Sequence, residues 1–192
     1  MLDLVDFKDG DLIVDCGANV GDLLMYFDIK GLKVEYIGFE PSPSEFMCLE
    51  RNVSPRRAMN LGLWYEEKEL KFYVSSGGAD SSFIEPPRYD SIANIPTKRL
   101  DTIVTDRRIK LLKLEAEGAE PEVIQGCDKI LADIEFIAAD LGEERGKEQE
   151  STMAPVINYV LSRNFEIISI NAIRGSVLFR NKASSGGEAR PV

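Results

Sequence analysis

Histidine is absent from the sequence, and basic residues are fewer than acidic ones. Without histidine there is no imidazole ligand for a zinc site and no histidine general base. Lysine and arginine number 23 against 33 aspartates and glutamates, which gives a formal net charge of -10. Such a chain is poorly suited to a phosphate backbone or an anionic membrane surface, so we expect no nucleic-acid or membrane partner. A neutral or cationic small ligand fits better.

Cysteine is also scarce, and long apolar runs are missing. Cys16, Cys48 and Cys127 are far apart, odd in number and form no CxxC pair, as is typical of free thiols in a reducing compartment. No apolar run approaches the roughly 20 residues of a membrane span. The N-terminal stretch MLDLVDFKDGD is acidic and poor in apolar residues, unlike a signal peptide. We therefore expect a soluble, cytoplasmic protein, and, because no carboxylates have ligand spacing, no metal cofactor.

Strand-like and helix-like segments alternate along the chain. Residues 11–16, 33–40 and 109–115 are apolar runs that are typical of buried parallel strands. Residues 165–171 and 175–181 are joined only by AIR, and a link that short can only make an antiparallel pair. The pattern predicts an α/β fold with a mostly parallel, seven-stranded sheet, helices on both faces and a terminal antiparallel hairpin. This outline resembles the Rossmann-like fold of class I methyltransferase domains.

We predict a single domain over residues 1–182 and a disordered Gly- and Ser-rich tail over residues 183–192. Within the domain, RLDTIV (99–104) is predicted as a strand. The segments EPPRYDSIANIP (85–96) and EERGKEQE (143–150) are predicted as loops. Trp64 and Phe72 are predicted core residues.

The stretch VDCGANVGD (14–22) has the form of a strand, a tight turn and the start of a helix. At the glycine positions of the dinucleotide fingerprint G-x-G-x-x-G it carries Gly17, Asn19 and Asp22. Asn19 tolerates the left-handed backbone that a tight turn needs. The carboxylate of Asp22 would repel a pyrophosphate, whereas S-adenosylmethionine (SAM) has no phosphate and carries a cationic sulfonium. The turn therefore favours SAM over NAD.

Two further segments are candidates for the same ligand. Glu40 ends the second predicted strand, where an acid can accept hydrogen bonds from both ribose hydroxyls of a nucleoside. The alternative is an ordinary strand-end carboxylate. The segment SSGGADSSF (75–83) is either the adenine side of the pocket or a flexible loop.

A candidate general base lies in IKLLKLEAEG, the predicted strand in the middle of the chain. Lys113, Glu115 and Glu117 alternate there, so a persisting strand would point all three to one face beside the cofactor crevice. For a hydroxyl acceptor, and without histidine, Glu115 or Glu117 is a reasonable base. The alternative is a structural ion pair of Lys113 with Glu115, with Glu117 capping the next helix. Glu120, before Pro121, is predicted as a helix-start charge.

Five blocks of the sequence resemble the FkbM-type methyltransferases in order and spacing, over roughly residues 11–181. The blocks are VDCGANVGD, GFEPSPSEF, LDTI, LLKLEAEGAEPEVIQG and GSVLFRN. The resemblance implies a Rossmann-like fold, SAM as methyl donor and transfer to a hydroxyl oxygen, on a small molecule or sugar. It places in the SAM site the turn residues Asp15, Gly17, Ala18, Asn19 and Gly21, and, at the ribose, Glu40 with Pro41.

The chain departs from the family pattern at two points. Glu115 stands at a position where the family usually has aspartate. About ten residues precede the first strand, whereas family members often carry a longer N-terminal region there. These departures suggest an alternative, in which the protein binds SAM but does not catalyse methyl transfer. An NAD-linked oxidoreductase is disfavoured, because Asp22 is present and a catalytic histidine or Tyr–Lys pair is missing.

Overall fold

The computed structural model describes residues 1–75 and 81–185 of the chain. The strands are β1 Leu12–Cys16, β2 Glu35–Phe39, β3 Arg57–Met59, β4 Gly62–Leu63, β5 Lys68–Val74, β6 Ser91–Lys98, β7 Ile109–Leu114, β8 Ile134–Asp140, β9 Glu143–Arg145, β10 Glu150–Ser151, β11 Phe165–Asn171 and β12 Ser176–Asn181. The α-helices are α1 Asp22–Ile29, α2 Pro43–Val53, α3 Leu100–Ile103, α4 Glu120–Gln125 and α5 Met153–Leu161. Short 3-10 helices cover Leu2–Leu4, Leu131–Asp133 and Lys182–Ser185. Within these two ranges, no helix is long and apolar enough to cross a membrane.

Seven strands form the central sheet, in the order β11-β12-β8-β7-β1-β2-β3. The five strands from β8 to β3 run parallel to one another. β12 is antiparallel to both β8 and β11. The predicted mostly parallel, seven-stranded sheet with a terminal antiparallel hairpin is therefore confirmed.

The middle strands are buried on both faces. In β1, Leu12 and Val14 belong to the core that includes apolar residues of α4 and α5, whereas Ile13 belongs to the core that includes residues of α1 and α2. Helices therefore cover both faces of the sheet, and the carboxyl ends of β1, β2 and β7 meet at one edge.

Three local predictions were wrong. RLDTIV contains the short helix α3, in which Leu100 and Val104, four residues apart, are both buried. The second half of the predicted loop 85–96 belongs to β6, which pairs with β5 and β4 in a separate three-stranded sheet. The charged segment 143–150 forms most of the two-stranded β9–β10 sheet. Of the predicted disordered tail, residues 183–185 lie in the 3-10 helix Lys182–Ser185 instead, and residues 186–192 lie outside the described residues. The single-domain boundary stays a prediction.

Candidate active site

The turn between β1 and α1 is folded tightly against two neighbouring strand ends. Gly17 has φ +72°, and a Cβ there would lie 1.9 Å from the carbonyl oxygen of Glu115. The amides of Gly17 and Ala18 both donate to the Phe39 carbonyl, at 3.0 Å. Asn19 adopts φ +47°, the left-handed conformation predicted for it. Glycine at position 17 therefore allows the backbone of the turn to touch the segment after β7.

Glu40 lies directly after β2 and accepts hydrogen bonds from this turn. Its two carboxylate oxygens accept the backbone amides of Asn19, at 2.8 Å, and Ser42, at 2.9 Å. The residue is 7% exposed, and burial raises the pKa of Glu40 to about 7 although the two amides favour the ionised form. The side chain of Asn60 donates to the carbonyls of Glu40 and Pro41, at 2.8 and 3.1 Å. The carboxylate is thus fixed at the strand end with lone pairs still available to a ligand.

A buried acid and a lysine lie beneath the turn. Asp15 is 1% exposed and accepts a 2.6 Å hydrogen bond from the Tyr36 hydroxyl. Burial raises the pKa of Asp15, although Lys113, 3.3 Å away, opposes the rise. The ammonium of Lys113 also donates to the Gly17 carbonyl, at 2.8 Å, and to Glu115 Oε2, at 2.6 Å. Burial lowers the pKa of Lys113, but Asp15 and Glu115 raise it by more, so the lysine is a cation.

The strand does not persist to Glu117, so the condition under which Lys113, Glu115 and Glu117 would share one face is not met. β7 ends at Leu114, and the backbone turns left-handed at Glu117, with φ +48°, and at Gly118, with φ +91°. Lys113 and Glu115 form the ion pair that was the alternative interpretation. Both glutamates still line the same cleft. The strand does not align them, but the turn that follows it brings them together.

The turn after β7 is held by two charged side chains. Glu120, the first residue of α4, is 1% exposed, and its Oε1 accepts the amides of Ala116 and Gly118, at 2.8 and 3.2 Å. Arg145 of β9 donates to the Gly118 carbonyl at 2.6 Å and makes two hydrogen bonds to Glu122, at 2.8 and 2.7 Å. The predicted helix-start position of Glu120 is confirmed, and the β9–β10 hairpin is fastened to this turn.

These segments surround a cleft that is open to solvent. The predicted site residues that line it are Asp15, Gly17, Ala18, Asn19, Glu40, Pro41, Glu115 and Glu117. Gly21 is not among the lining residues, because it faces α2, where a Cβ would lie 2.9 Å from Val53 Cγ1. Asp22 lines the cleft as the first residue of α1.

An apolar wall completes the cleft, and sequence reasoning found little of it. Leu61, Leu63, Phe72 and Phe83 contribute to the lining. Phe72 is 2% exposed, as predicted for a core residue, and its ring centroid lies 4.8 Å from that of Phe83. Trp64 is also buried, as predicted. Of the predicted adenine segment 75–83, residues 76–80 lie outside the described residues, whereas Ser81 and Phe83 reach the cleft.

Sequence reasoning also missed the polar residues that support the site. Tyr36 and Asn60 show no motif, because their roles depend on contacts with residues about 20 positions away. All three cysteines are free thiols, as predicted. In the described part of the chain, no group of His, Cys, Asp and Glu residues is arranged to hold a metal ion.

Comparison with known proteins places this geometry in a family. Residues 15–167 match the methyltransferase FkbM domain. Methyltransferase 1 of Beauveria bassiana (strain ARSEF 2860) is 28% identical over an alignment 173 positions long, which covers 75% of this chain and 70% of that protein. The 2-O-methyltransferase NoeI of Sinorhizobium fredii (strain NBRC 101917 / NGR234) is 25% identical over an alignment 198 positions long, which covers 91% of this chain and 81% of that protein.

Two solved structures share the fold. The methyltransferase FkbM from Methylobacillus flagellatus KT superposes with a TM-score of 0.63 at 17% identity and covers 93% of this chain, but the chain spans only 45% of that protein. A TehB-like SAM-dependent methyltransferase from Corynebacterium glutamicum gives a TM-score of 0.52 at 11% identity, covering 92% of this chain and 83% of that one. These likenesses confirm the predicted Rossmann-like class I methyltransferase fold. Since the family match spans more than half of the sequence, this chain belongs to the FkbM-type methyltransferase family.

Proposed function

We propose that this chain is a SAM-dependent methyltransferase that transfers the methyl group to a hydroxyl oxygen of a small molecule or sugar. The observation that carries the proposal is the carboxylate of Glu40, fixed by the amides of Asn19 and Ser42 at the mouth of a cleft in a methyltransferase fold. Support for oxygen as the acceptor comes from the relative named 2-O-methyltransferase, at 25% identity.

The residues of the cleft fit SAM better than a dinucleotide. Glu40 would accept the ribose hydroxyls. Asp22, at the start of α1, would face a pyrophosphate and repel it, which argues against NAD. Leu61, Leu63 and Phe83 offer an apolar border for the adenine ring. When bound, SAM supplies a methyl group that is already activated by its sulfonium.

The chain itself must orient the acceptor and take up its proton. Methyl transfer needs the acceptor oxygen held in line, within about 3–3.5 Å of the reacting carbon. A hydroxyl acceptor also needs a base, and the carboxylates of Glu115 and Glu117 line the cleft after β7. Either glutamate is the proposed base. A net charge of -10 further supports a small-molecule acceptor over a nucleic acid.

A second candidate function is SAM binding without catalysis. It is favoured by the ion pair in which Lys113 occupies one oxygen of Glu115, at 2.6 Å. The position that this family usually fills with aspartate is then structural. Only turnover of an acceptor separates the two candidates.

The test is ligand protection followed by acceptor screening. S-adenosylhomocysteine, the demethylated form of SAM, should raise the melting temperature of the protein, and NAD should not, because only a ligand that binds the native state stabilises it. Hydroxyl-bearing acceptors incubated with SAM should then gain the mass of one methylene group. No thermal shift with either SAM or S-adenosylhomocysteine at millimolar concentration would contradict the proposed function. Binding without turnover across neutral, sugar and phenolic acceptors would favour the second candidate.

A further inference from the structure

The ammonium of Lys113 joins three separate segments of the chain. It is 2.8 Å from the carbonyl oxygen of Gly17 in the turn after β1, and 2.6 Å from Glu115 Oε2 after β7. It is also 3.3 Å from Oδ1 of Asp15, near the end of β1. One side chain thus contacts the cofactor side of the cleft and the proposed acceptor side at the same time.

This arrangement limits what Lys113 can do. A lysine ammonium has three N–H donors and no acceptor, and three oxygens surround this one. The ammonium donates to the Gly17 carbonyl and lies at ion-pair distance from the two carboxylates. As a cation it has no lone pair with which to act as a base. The groups that it contacts, the turn after β1 and Glu115, are therefore the route by which it can affect the reaction.

We propose that Lys113 is a positioning residue that couples the cofactor turn to the acceptor-side carboxylate. Through the Gly17 carbonyl it fixes the turn against which the cofactor packs, and through Glu115 it fixes a carboxylate on the opposite side of the same cleft. The proposal rests on the proposed function, since it assigns Lys113 a role toward SAM.

Charge balance alone is the competing explanation, and the structure allows the two to be separated. Asp15 is buried, and Lys113 is its cationic neighbour. Lys113→Met removes that cation and leaves a buried carboxylate, which is strongly destabilising. In the double variant Asp15→Asn/Lys113→Met both charges are gone, while the amide oxygen introduced at position 15 can still accept the hydrogen bond from Tyr36. The double variant therefore restores charge balance without restoring the hydrogen bond to Gly17.

The experiment is isothermal titration calorimetry of S-adenosylhomocysteine with the wild type and four variants. Loss of a charge-assisted hydrogen bond predicts affinity weaker by about tenfold or more in both Lys113→Met and the double variant. Lys113→Arg should recover part of the affinity, because a guanidinium can donate to a carbonyl and a carboxylate together. Lys110→Met is the matched control, since Lys110 lies on the same strand, pairs with Glu135 at 2.9 Å and does not line the cleft. Its affinity should stay within about twofold of the wild type.

The outcomes separate the explanations. Wild-type affinity in the double variant would overturn the proposal, because charge balance would then suffice. Wild-type affinity in Lys113→Met would overturn it directly. If Lys113→Met does not fold, the double variant carries the test, since it contains no unpaired buried charge. A wild-type protein that fails to bind S-adenosylhomocysteine would overturn the proposed function itself, whereas binding by the wild type with unchanged variants overturns only the role of Lys113.

Discussion

Replacement of Glu40 by glutamine should change how the stability of the ligand-free protein depends on pH. Glu40 is buried, and its pKa in the folded protein is about 7, against an ordinary value of 4.5. The folded state therefore holds a proton at a pH where the unfolded state has released it. The stabilising contribution of this group is fully present below pH 4.5 and is lost as the pH rises through 7. Glutamine does not titrate, so Glu40→Gln removes this dependence.

The expected size of the effect follows from the two pKa values. Each pH unit between them is worth about 1.4 kcal/mol, so the rise from 4.5 to about 7 corresponds to about 3 kcal/mol. The amide of glutamine offers one acceptor where the carboxylate accepts from both Asn19 and Ser42. Loss of one of these two hydrogen bonds should lower the free energy of unfolding of Glu40→Gln by about 1 kcal/mol at every pH. From about pH 5 to 8, the wild type should therefore lose stability relative to Glu40→Gln.

Urea unfolding at several pH values and constant ionic strength measures this difference. The single tryptophan, Trp64, is 7% exposed and provides a fluorescence signal for unfolding. Glu50→Gln on the exposed side of α2 is the control for removing one negative charge. Parallel pH curves for the wild type and Glu40→Gln would refute the reasoning, because Glu40 would then titrate alike in both states.

The same carboxylate should make cofactor binding depend on pH. Ribose hydroxyls donate to the ionised form of Glu40, so the ligand favours deprotonation. The affinity of the wild type for S-adenosylhomocysteine should rise from about pH 6 to about pH 8. In Glu40→Ala the affinity should be weaker by about 1.5–3 kcal/mol and largely independent of pH over this range. An unchanged dissociation constant in the alanine variant would mean that the ribose binds elsewhere.

Three further outcomes are expected. Gly17→Ala should lower the free energy of unfolding by about 2 kcal/mol more than Gly31→Ala does. Both glycines have positive φ, but only a Cβ at position 17 would meet backbone atoms. Equal losses of stability in urea unfolding would contradict the close contact between Gly17 and Glu115. If the acceptor is a hydroxyl, Glu115→Gln or Glu117→Gln should slow turnover by about 10²–10⁴-fold with little change in ligand affinity, and normal turnover in both would exclude them as the base. EDTA should leave activity unchanged, and activity that is lost with EDTA and returns with magnesium would disprove a metal-free mechanism.

The sequence predicted well those parts of the fold whose contacts are local. The apolar run of β1, the left-handed Asn19 and the acid at the end of β2 follow from residue type and spacing, and the structure has all three. The antiparallel pairing of β11 with β12 follows from the three-residue link between the two predicted segments. At these places, backbone conformation and periodicity determine the structure without help from distant residues.

The remaining errors come from contacts between distant residues. β6 contains Pro96 and alternates weakly, and it is a strand because β5 and β4 pair with it. Glu117 leaves the predicted strand because Glu120 and Arg145 hold the following turn. The sequence signal for this turn was Gly118, because glycine is common where the backbone must adopt a left-handed conformation. The structure gives Gly118 a φ of +91°, which an alternating pattern of charged residues does not reveal.

The position of β12 has a consequence for how the protein is made. β12 lies between β8 and β11, so β11 joins the sheet through β12, which is the last strand among the described residues. During synthesis the edge of β8 stays unpaired until residues 176–181 have left the ribosome, and an unpaired edge invites association with other chains. In a nascent chain stalled before β12, the sheet would lack two strands, because β11 has no partner until β12 is present. The finished sheet thus requires nearly the whole described sequence, and premature termination should yield insoluble fragments rather than a smaller folded domain.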